Sequence, residues 1–467
     1  MVRIFKHYMP ASLLVLGAVE TMILFLSMYA GVAIRFEKQF SSIPYNASPV
    51  LPIYPKAIVF AAIMLGIMIA MGLYQREHQP QSWHYGRLGV SFIAGLAAMA
   101  LVFYAVPRLF LGRGVFGIAY VIAFLAIAGV RLAYFTATGY DANKRRILVL
   151  GTGTRAAKVD ALEKLGNGRQ GFCVVGYLAL QGAHHFVAKD RILSDEESLC
   201  AIAKKYDVDE IVIGVRDRRG GGLPIDDLLQ CKLSGIDIID LPSFFERETG
   251  YVHLQSMNPS WMIFSDGFDR GPLRDAIKRI FDVLFSVMLL AISLPVIIVT
   301  AILIKLDSSG PVLYHQERVG RGSVPFDVLK FRSMRTDAEK DGKPRWASQN
   351  DDRITRVGRV IRKLRIDELP QIFNVLKGEM SFVGPRPERP YFVDQLSQQI
   401  PFFVCRHNVK PGITGWAQIR CSYGASVEEA IEKLQYDLYY VKNHSLFLDL
   451  VVIFQTVQVI LFGKGSR

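Results

Sequence analysis

The sequence predicts a membrane protein of mixed architecture: a four-helix transmembrane bundle, a Rossmann-like α/β domain, and a C-terminal α+β domain carrying one further membrane-inserted helix. Three observations predict it. Uncharged apolar blocks fill the first part of the chain; a strand–helix alternation opened by a glycine turn follows; one more apolar block, interrupted by a proline, then precedes a region rich in arginine and lysine. At 467 residues the chain is too long for one ordinary domain. Its hydrophobic content of 51% and mean hydropathy of +0.25 are high for a soluble protein. The formal charge of +13 suits nucleic acid, an anionic membrane surface or phosphorylated substrates, and the membrane-length blocks favour the last two. The 5 cysteines lie far apart with no CxxC, so they read as reduced cytoplasmic thiols, with neither zinc nor disulfide implied.

The first blocks are Met9–Ile34, with only Glu20 charged, and Ala57–Tyr74, Leu88–Val106 and Gly114–Val130, with no charge at all. A spanning helix needs about 20 apolar residues, so each is a candidate span. The first block is long and shows no small-residue cleavage site, which argues against a cleaved signal peptide. Arg3 and Lys6, then Arg76 and Arg87, then Lys144, Arg145 and Arg146 flank the sides expected to face the cytoplasm. Glu20 inside a span is a functional candidate by default, with pairing inside the bundle as the plainer alternative. These spans form an expected domain over residues 1–143.

From Arg145 the period changes. Arg146–Leu150 reads as a buried strand, and Gly151-Thr-Gly153-Thr-Arg-Ala156 as a turn opening a helix. Further strands are expected at Phe172–Leu178, Glu210–Gly214 and Ile236–Asp240, with helices at Asp195–Tyr206 and Ile225–Ser234. That alternation predicts a parallel sheet over residues 144–243. The glycine turn would let backbone approach a phosphate, yet the second strand offers no acid for a ribose, so NAD is weakly indicated. Tyr140 and Lys144 have the spacing of a dehydrogenase pair but precede the glycine turn. Residues 244–273 read as an irregular linker.

The fifth block, Val283–Ile304, carries no charge and is closed by Lys305. Pro295 sits inside it and lacks the N–H that a helix requires, so a kink is expected. A helix broken there either spans or enters one leaflet and returns, with Ser293 near the break. Short strands are then expected at Pro311–Tyr314 and Phe326–Phe331, and helices at Val357–Arg365, Leu369–Val375 and Val427–Lys442. Leu446–Phe462 reads as a helix lying in the interface. Arg353, Arg356, Arg359, Arg362 and Arg365 recur every third residue and lead to the adjacent acids Asp367 and Glu368. Carboxylates among arginines are expected to stay ionised, and so to serve as nucleophile or Mg²⁺ ligand, with the arginines suited to phosphates; a solvated ion-pair helix is the plainer alternative.

Long stretches here resemble the bacterial monotopic phosphoglycosyl transferases: Lys330-Phe-Arg-Ser-Met334, Asp367-Glu-Leu369, Gln371-Ile-Phe-Asn-Val-Leu-Lys-Gly378, Met380-Ser-Phe-Val-Gly-Pro-Arg-Pro387 and Lys410-Pro-Gly-Ile-Thr-Gly-Trp-Ala-Gln418. The resemblance implies a C-terminal α+β catalytic domain over residues 274–467 with a re-entrant membrane helix at 280–305, on the cytoplasmic side of the bacterial inner membrane. It implies transfer of sugar-1-phosphate from a nucleotide diphosphate sugar, uridine being usual, to polyprenyl phosphate, through a phosphosugar on Asp367. Glu368 and Asp437 would hold Mg²⁺. Lys330, Arg362 and Arg386, the last fixed between Pro385 and Pro387, would bind phosphate, and Trp416 and Gln418 would shape the nucleotide pocket. Ser293 and Pro295 would make the membrane hairpin. The expected partners are a nucleotide sugar, polyprenyl phosphate and inner-membrane lipids, not nucleic acid, with a homo-oligomer left open. The alternatives are a membrane-bound NAD-dependent nucleotide-sugar dehydratase and a non-catalytic scaffold or flippase component.

Overall fold

A computed structural model of the chain describes residues 2–4, 7–9, 11–36, 52–74, 81–137, 144–165, 171–180, 184–194, 197–215, 223–257, 259–268, 271–335, 353–421 and 426–462. They fall into two contact units, Tyr8–Met257 and Asn258–Arg467, apart from a few residues at the N-terminus.

The first unit opens with α1 (Ala11–Arg35), α2 (Tyr54–Ala70), α3 (Gln81–Ala105) and α4 (Arg113–Ala137). The uncharged blocks therefore became helices, and α1, α3 and α4 are long and apolar enough to cross a membrane; α2 is shorter. Their inner faces share one core built on Leu24, Met28, Phe60, Met64, Phe116 and Ala123. Gly31 lets α1 approach α4, because a Cβ there would meet Val115 O and Ala119. Glu20 is buried and paired within the bundle. It lies 2.6 Å from Arg131 Nε on α4 and accepts the Tyr74 hydroxyl, as a charge removed from water requires.

The same unit holds β1 (Arg145–Leu150), α5 (Thr154–Leu165), β2 (Phe172–Leu178), β3 (Ile192–Leu193), α6 (Leu199–Lys205), β4 (Glu210–Ile213), α7 (Ile225–Leu233), β5 (Asp237–Asp240) and α8 (Leu241–Thr249). All strands are parallel, in the order β3-β2-β1-β4-β5. Every residue of β4 is buried, because helices cover both faces. Gly151 makes the expected turn at φ 115°, and the next residue is tied to a later loop: Phe186 N donates to Thr152 O at 2.8 Å, and His185 Nδ1 lies 2.9 Å from Thr152 Oγ1. Of the Tyr140/Lys144 pair, Tyr140 lies outside the described residues.

The linker expectation needs correction. Residues from 244 onward are helical in α8, capped by the Asp240 carboxylate and stopped by Gly250 at φ 71°. Phe244 and Phe245 pack into the core beneath β1, so this unit continues to Met257. Pro242 sits in the first turn, where its missing N–H costs nothing.

The second unit runs through α9 (Pro259–Phe264), α10 (Pro272–Asp307), β6 (Leu313–Val319), β7 (Pro325–Phe331), α11 (Arg356–Lys363), a 3₁₀ turn (Ile366–Glu368), α12 (Gln371–Lys377), β8 (Ser381–Val383), α13 (Pro390–Gln399), β9 (Gly412–Thr414), α14 (Trp416–Arg420), α15 (Val427–Asn443) and α16 (Leu446–Phe462). Two small pairings organise it: β6 with β7 antiparallel, and β8 with β9 parallel. Helix α10 is assigned as continuous through Pro295. Ser293 does not take the Ala291 carbonyl that Pro295 leaves free; its hydroxyl donates to Leu289 O at 2.7 Å. Both ends of α10 rest on the same folded unit. At one end Lys278 pairs with Asp449 (2.6 Å), and Arg279 donates to Val375 O and Leu376 O. At the other, Asp307 accepts from Val357 N (3.1 Å), and Ile304 packs on Phe331 and Ile361. Between them Leu284, Val287, Ile292, Ile298 and Ile302 are exposed.

Candidate active site

Helix α11 starts at Thr355, whose hydroxyl accepts from Gly358 N at 2.9 Å, and ends where Arg365 enters the left-handed region at φ 58°. A non-glycine residue there costs about 1 kcal/mol. The reversal stops the helix and turns the Asp367–Glu368 pair away from its axis. The arginine stripe is accordingly shorter than its period suggests, with only Arg356, Arg359 and Arg362 on α11. Asn374 on α12 is the clamp that sequence reasoning missed. It is buried, donates to Asp327 O and Glu379, and accepts from Leu329 N at 3.0 Å. That clamp fixes β7 beside the acids and brings Lys330 within 3.7 Å of Glu368. The asparagine stood inside a quoted block, but nothing in its type announced a tertiary role.

The turn carrying Arg386 is held by close backbone packing. A Cβ on Gly384 would strike Lys410 O and Gly412 N, so only glycine lets β8 and β9 meet there. Gly412 N donates to Pro385 O (2.9 Å), Arg318 Nη1 to Pro387 O (3.0 Å), and Arg406 Nη2 to Arg386 O (3.0 Å). Arg386 is thereby aimed at Glu368, at 3.0 Å.

Charge divides unequally between the neighbouring acids. Glu368 meets Arg386, Lys330 and Arg365, at 3.0, 3.7 and 3.6 Å. These cations outweigh its burial and hold its carboxyl down at about 2. Asp367 behaves oppositely to expectation: burial, then the Glu368 charge, raises its pKa, with Lys330, Arg362 and Arg365 opposing. Its Oδ1 is buried and has no hydrogen-bond partner. The guanidinium field that the sequence suggested thus falls chiefly on Glu368. The surrounding cations exceed what the acids neutralise: burial pushes Lys330 down to about 8, and Arg318, also opposed by Arg386 and Arg389 and supported by Glu388, down to about 10. An arriving phosphate would relieve both.

The remaining expected site residues divide. Trp416 is a core residue, buried and stacked on Tyr439 at 5.9 Å, with Arg420 over its other reach at 4.5 Å. Gln418 keeps a buried Oε1 without a partner while its amide donates to Ile413 O at 3.5 Å. Asp437 does not join Glu368 in a metal cluster; it pairs with Arg406 at 2.7 Å, and burial pushes it up to about 6. Among the described residues no group of three His, Cys, Asp or Glu side chains is arranged to hold a metal. Arg406, Arg318 and Asn374 are the supporting residues that the sequence did not single out.

Residues 273–463 match the family described as bacterial sugar transferase. The chain is 42% identical over 284 residues to an Aeromonas hydrophila protein named UDP-N-acetylgalactosamine-undecaprenyl-phosphate N-acetylgalactosaminephosphotransferase, covering 61% of this chain and 65% of that one. It is 56% identical over 131 residues to a Bacillus subtilis protein named putative undecaprenyl-phosphate N-acetylgalactosaminyl 1-phosphate transferase, covering 28% and 73% respectively. A Caulobacter vibrioides protein named UDP-glucose:undecaprenyl-phosphate glucose-1-phosphate transferase is 42% identical over 190 residues, covering 40% and 70%. The match thus spans somewhat under two thirds of the first relative and more of the shorter ones.

Proposed function

The chain belongs to the bacterial sugar transferase family, and from that premise we propose that it moves a sugar-1-phosphate from a UDP-sugar to undecaprenyl phosphate, releasing UMP, in the first membrane step of a surface glycan. The observation that carries the chemistry is the contrast within the acid pair. Glu368 is committed to three cations, whereas Asp367 keeps a buried oxygen with no partner. Asp367 Oδ1 attacks the sugar-bearing phosphorus, the bond to the bridging oxygen breaks, and UMP leaves. A phosphate oxygen of the lipid then attacks the same phosphorus and returns the carboxylate. The raised pKa of Asp367 makes its ionised form more basic and so more nucleophilic. Arg386 and Lys330 carry the donor's phosphates, the first through its planar fork and the second as a point charge. Arg318 and Arg406 hold the Arg386 turn in place.

Mg²⁺ fits only in a restricted sense. Asp437 is spent on Arg406, so of the expected ligands Glu368 would hold it together with the donor's phosphates, and the unpartnered Asp367 oxygen stays free for attack. Bound there, it would neutralise the diphosphate.

The re-entrant reading of α10 is supported by its two anchored ends. Lys278 and Asp307 both bond the same folded unit, while the exposed apolar stretch between them calls for lipid. On this reading the acids face the cytoplasm, where nucleotide sugars are made. The test is purified protein with UDP-sugars, Mg²⁺ and undecaprenyl phosphate, followed by UMP. Release of about one UMP per protein without the lipid, and continued release only with it, is expected; no release with any UDP-sugar contradicts the assignment.

A further inference from the structure

Helix α9 leaves two large apolar side chains in the open. Ile263 is 74% and Phe264 84% exposed, although Trp261, in the same short helix, is buried. Adjacent apolar residues left bare in this way mark a contact surface when they continue into a larger patch. The helix is pinned from its inner side. The Lys442 ammonium, on α15, stands 3.9 Å from the centre of the Trp261 ring, and both residues are buried. Just beyond α9, Phe268 N donates to Lys442 O at 3.1 Å. A Cβ on Gly267 would lie 2.8 Å from that same oxygen, an approach that glycine at φ 117° allows. Ile263 is about 200° round the helix from Trp261, so a helix held by its tryptophan turns Ile263 outward.

The neighbours of α9 identify what covers it. Three residues separate Phe268 from Pro272, where α10 begins, a reach of at most about 14 Å. From there α10 exposes Leu273, Ile277, Ile280 and Leu284 along one side. That side is opposite the one from which Lys278 pairs with Asp449 and Asp282 accepts from Ser381 Oγ. On the other flank, Lys442 stands four residues before α16, which exposes Leu446, Leu450 and Val457 at helical spacing. α9 is therefore tied at both flanks to helices that show apolar side chains outward. A protein partner fitted to Ile263 and Phe264 would leave those neighbouring stripes bare, whereas a bilayer meets all three.

We propose that α9 lies in the membrane interface, with Ile263 and Phe264 set among lipid acyl chains beside the first turn of α10. The inference rests on the membrane placement of α10 given above. Held through Lys442, a helix in that position fixes the level at which α10 enters the lipid.

The test uses full-length protein reconstituted in vesicles of phosphatidylcholine and phosphatidylglycerol. Photoreactive benzoylphenylalanine replaces one residue at a time: Phe264 on α9, Leu284 on α10 as the lipid reference, and Leu165, 81% exposed at the end of α5, as the aqueous reference. After irradiation, lipid joined to the protein is read by mass. Position 264 is expected to carry about tenfold more lipid adduct than position 165, and about as much as position 284. Adduct at 284 but none at 264 would overturn the proposal and leave the placement of α10 standing; adduct at neither overturns both. Cross-links from 264 to another segment of the chain or to a second copy, in place of lipid, assign the patch to protein and also overturn it. Lipid adduct at 264 in protein that releases no UMP contradicts the proposed reaction and supports the placement of α9.

Discussion

Asp367 and Glu368 are adjacent in sequence but sit in opposite electrostatic settings, and the difference is measurable. Glu368, held near 2 against an ordinary 4.5, adds stability that is fully present above about pH 4.5 and is lost as pH falls toward 2. Glu368→Gln leaves Arg386, Lys330 and Arg365 without their anion, and a loss of about 3 kcal/mol is expected, read as a lower thermal midpoint at pH 7. Lys330 sets the upper end of the pH range. Its pKa of about 8 means it is cationic below that pH and neutral above, so UDP affinity should fall as pH rises past 8. Lys330→Arg, which stays charged, is expected to hold that affinity to higher pH in a titration followed by calorimetry; an unchanged fall would remove Lys330 from donor binding. Asp367's uncommitted oxygen was not legible in the sequence. The recurring arginines suggested one shared field for both acids, whereas the left-handed Arg365 and the Asn374 clamp decide which acid receives it.

At the scale of elements, what the sequence made legible was what local pattern controls. The uncharged runs became α1 to α4, and the strand Phe172–Leu178 and helix Leu446–Phe462 fall where their apolar residues predict. α8 buries Leu241, Phe244 and Phe245, at helical spacing, against β1, and its cap at Asp240 and stop at Gly250 are signals that the linker reading passes over. Gly384 depends on tertiary contact: Gly384→Ala is expected to cost about 1–3 kcal/mol by overpacking the β8–β9 contact, visible as a lower unfolding midpoint. For α10 the outcome turns on topology. Cysteines placed at Arg274 and Ser309, beside its two ends, are expected to react with a membrane-impermeant maleimide only after cells are opened. Labelling of the Ser309 position in intact cells would mean that the helix crosses the bilayer.

Across the whole molecule, the residues of the proposed reaction, Asp367, Glu368, Lys330 and Arg386, all lie in the second contact unit. A fragment of residues 258–467 in membranes is therefore expected to keep releasing UMP, and its silence would assign the first unit a part in catalysis. The resemblance carried by the blocks from Lys330 to Gln418 named candidates, of which the fold brings Lys330, Glu368 and Arg386 together, but not their division of labour. Asp437 was placed with the metal because it is acidic and near in the family pattern; in the fold it holds Arg406, which in turn holds the backbone of Arg386. The central claim is that Asp367 itself carries the phosphosugar. Its most direct test is the intact mass of the protein after exposure to a UDP-sugar without lipid acceptor. One added sugar phosphate, mapped to Asp367 and absent in Asp367→Asn, is the predicted result; unmodified wild-type protein that nevertheless turns over once lipid is added, or an adduct that persists in Asp367→Asn, would contradict it.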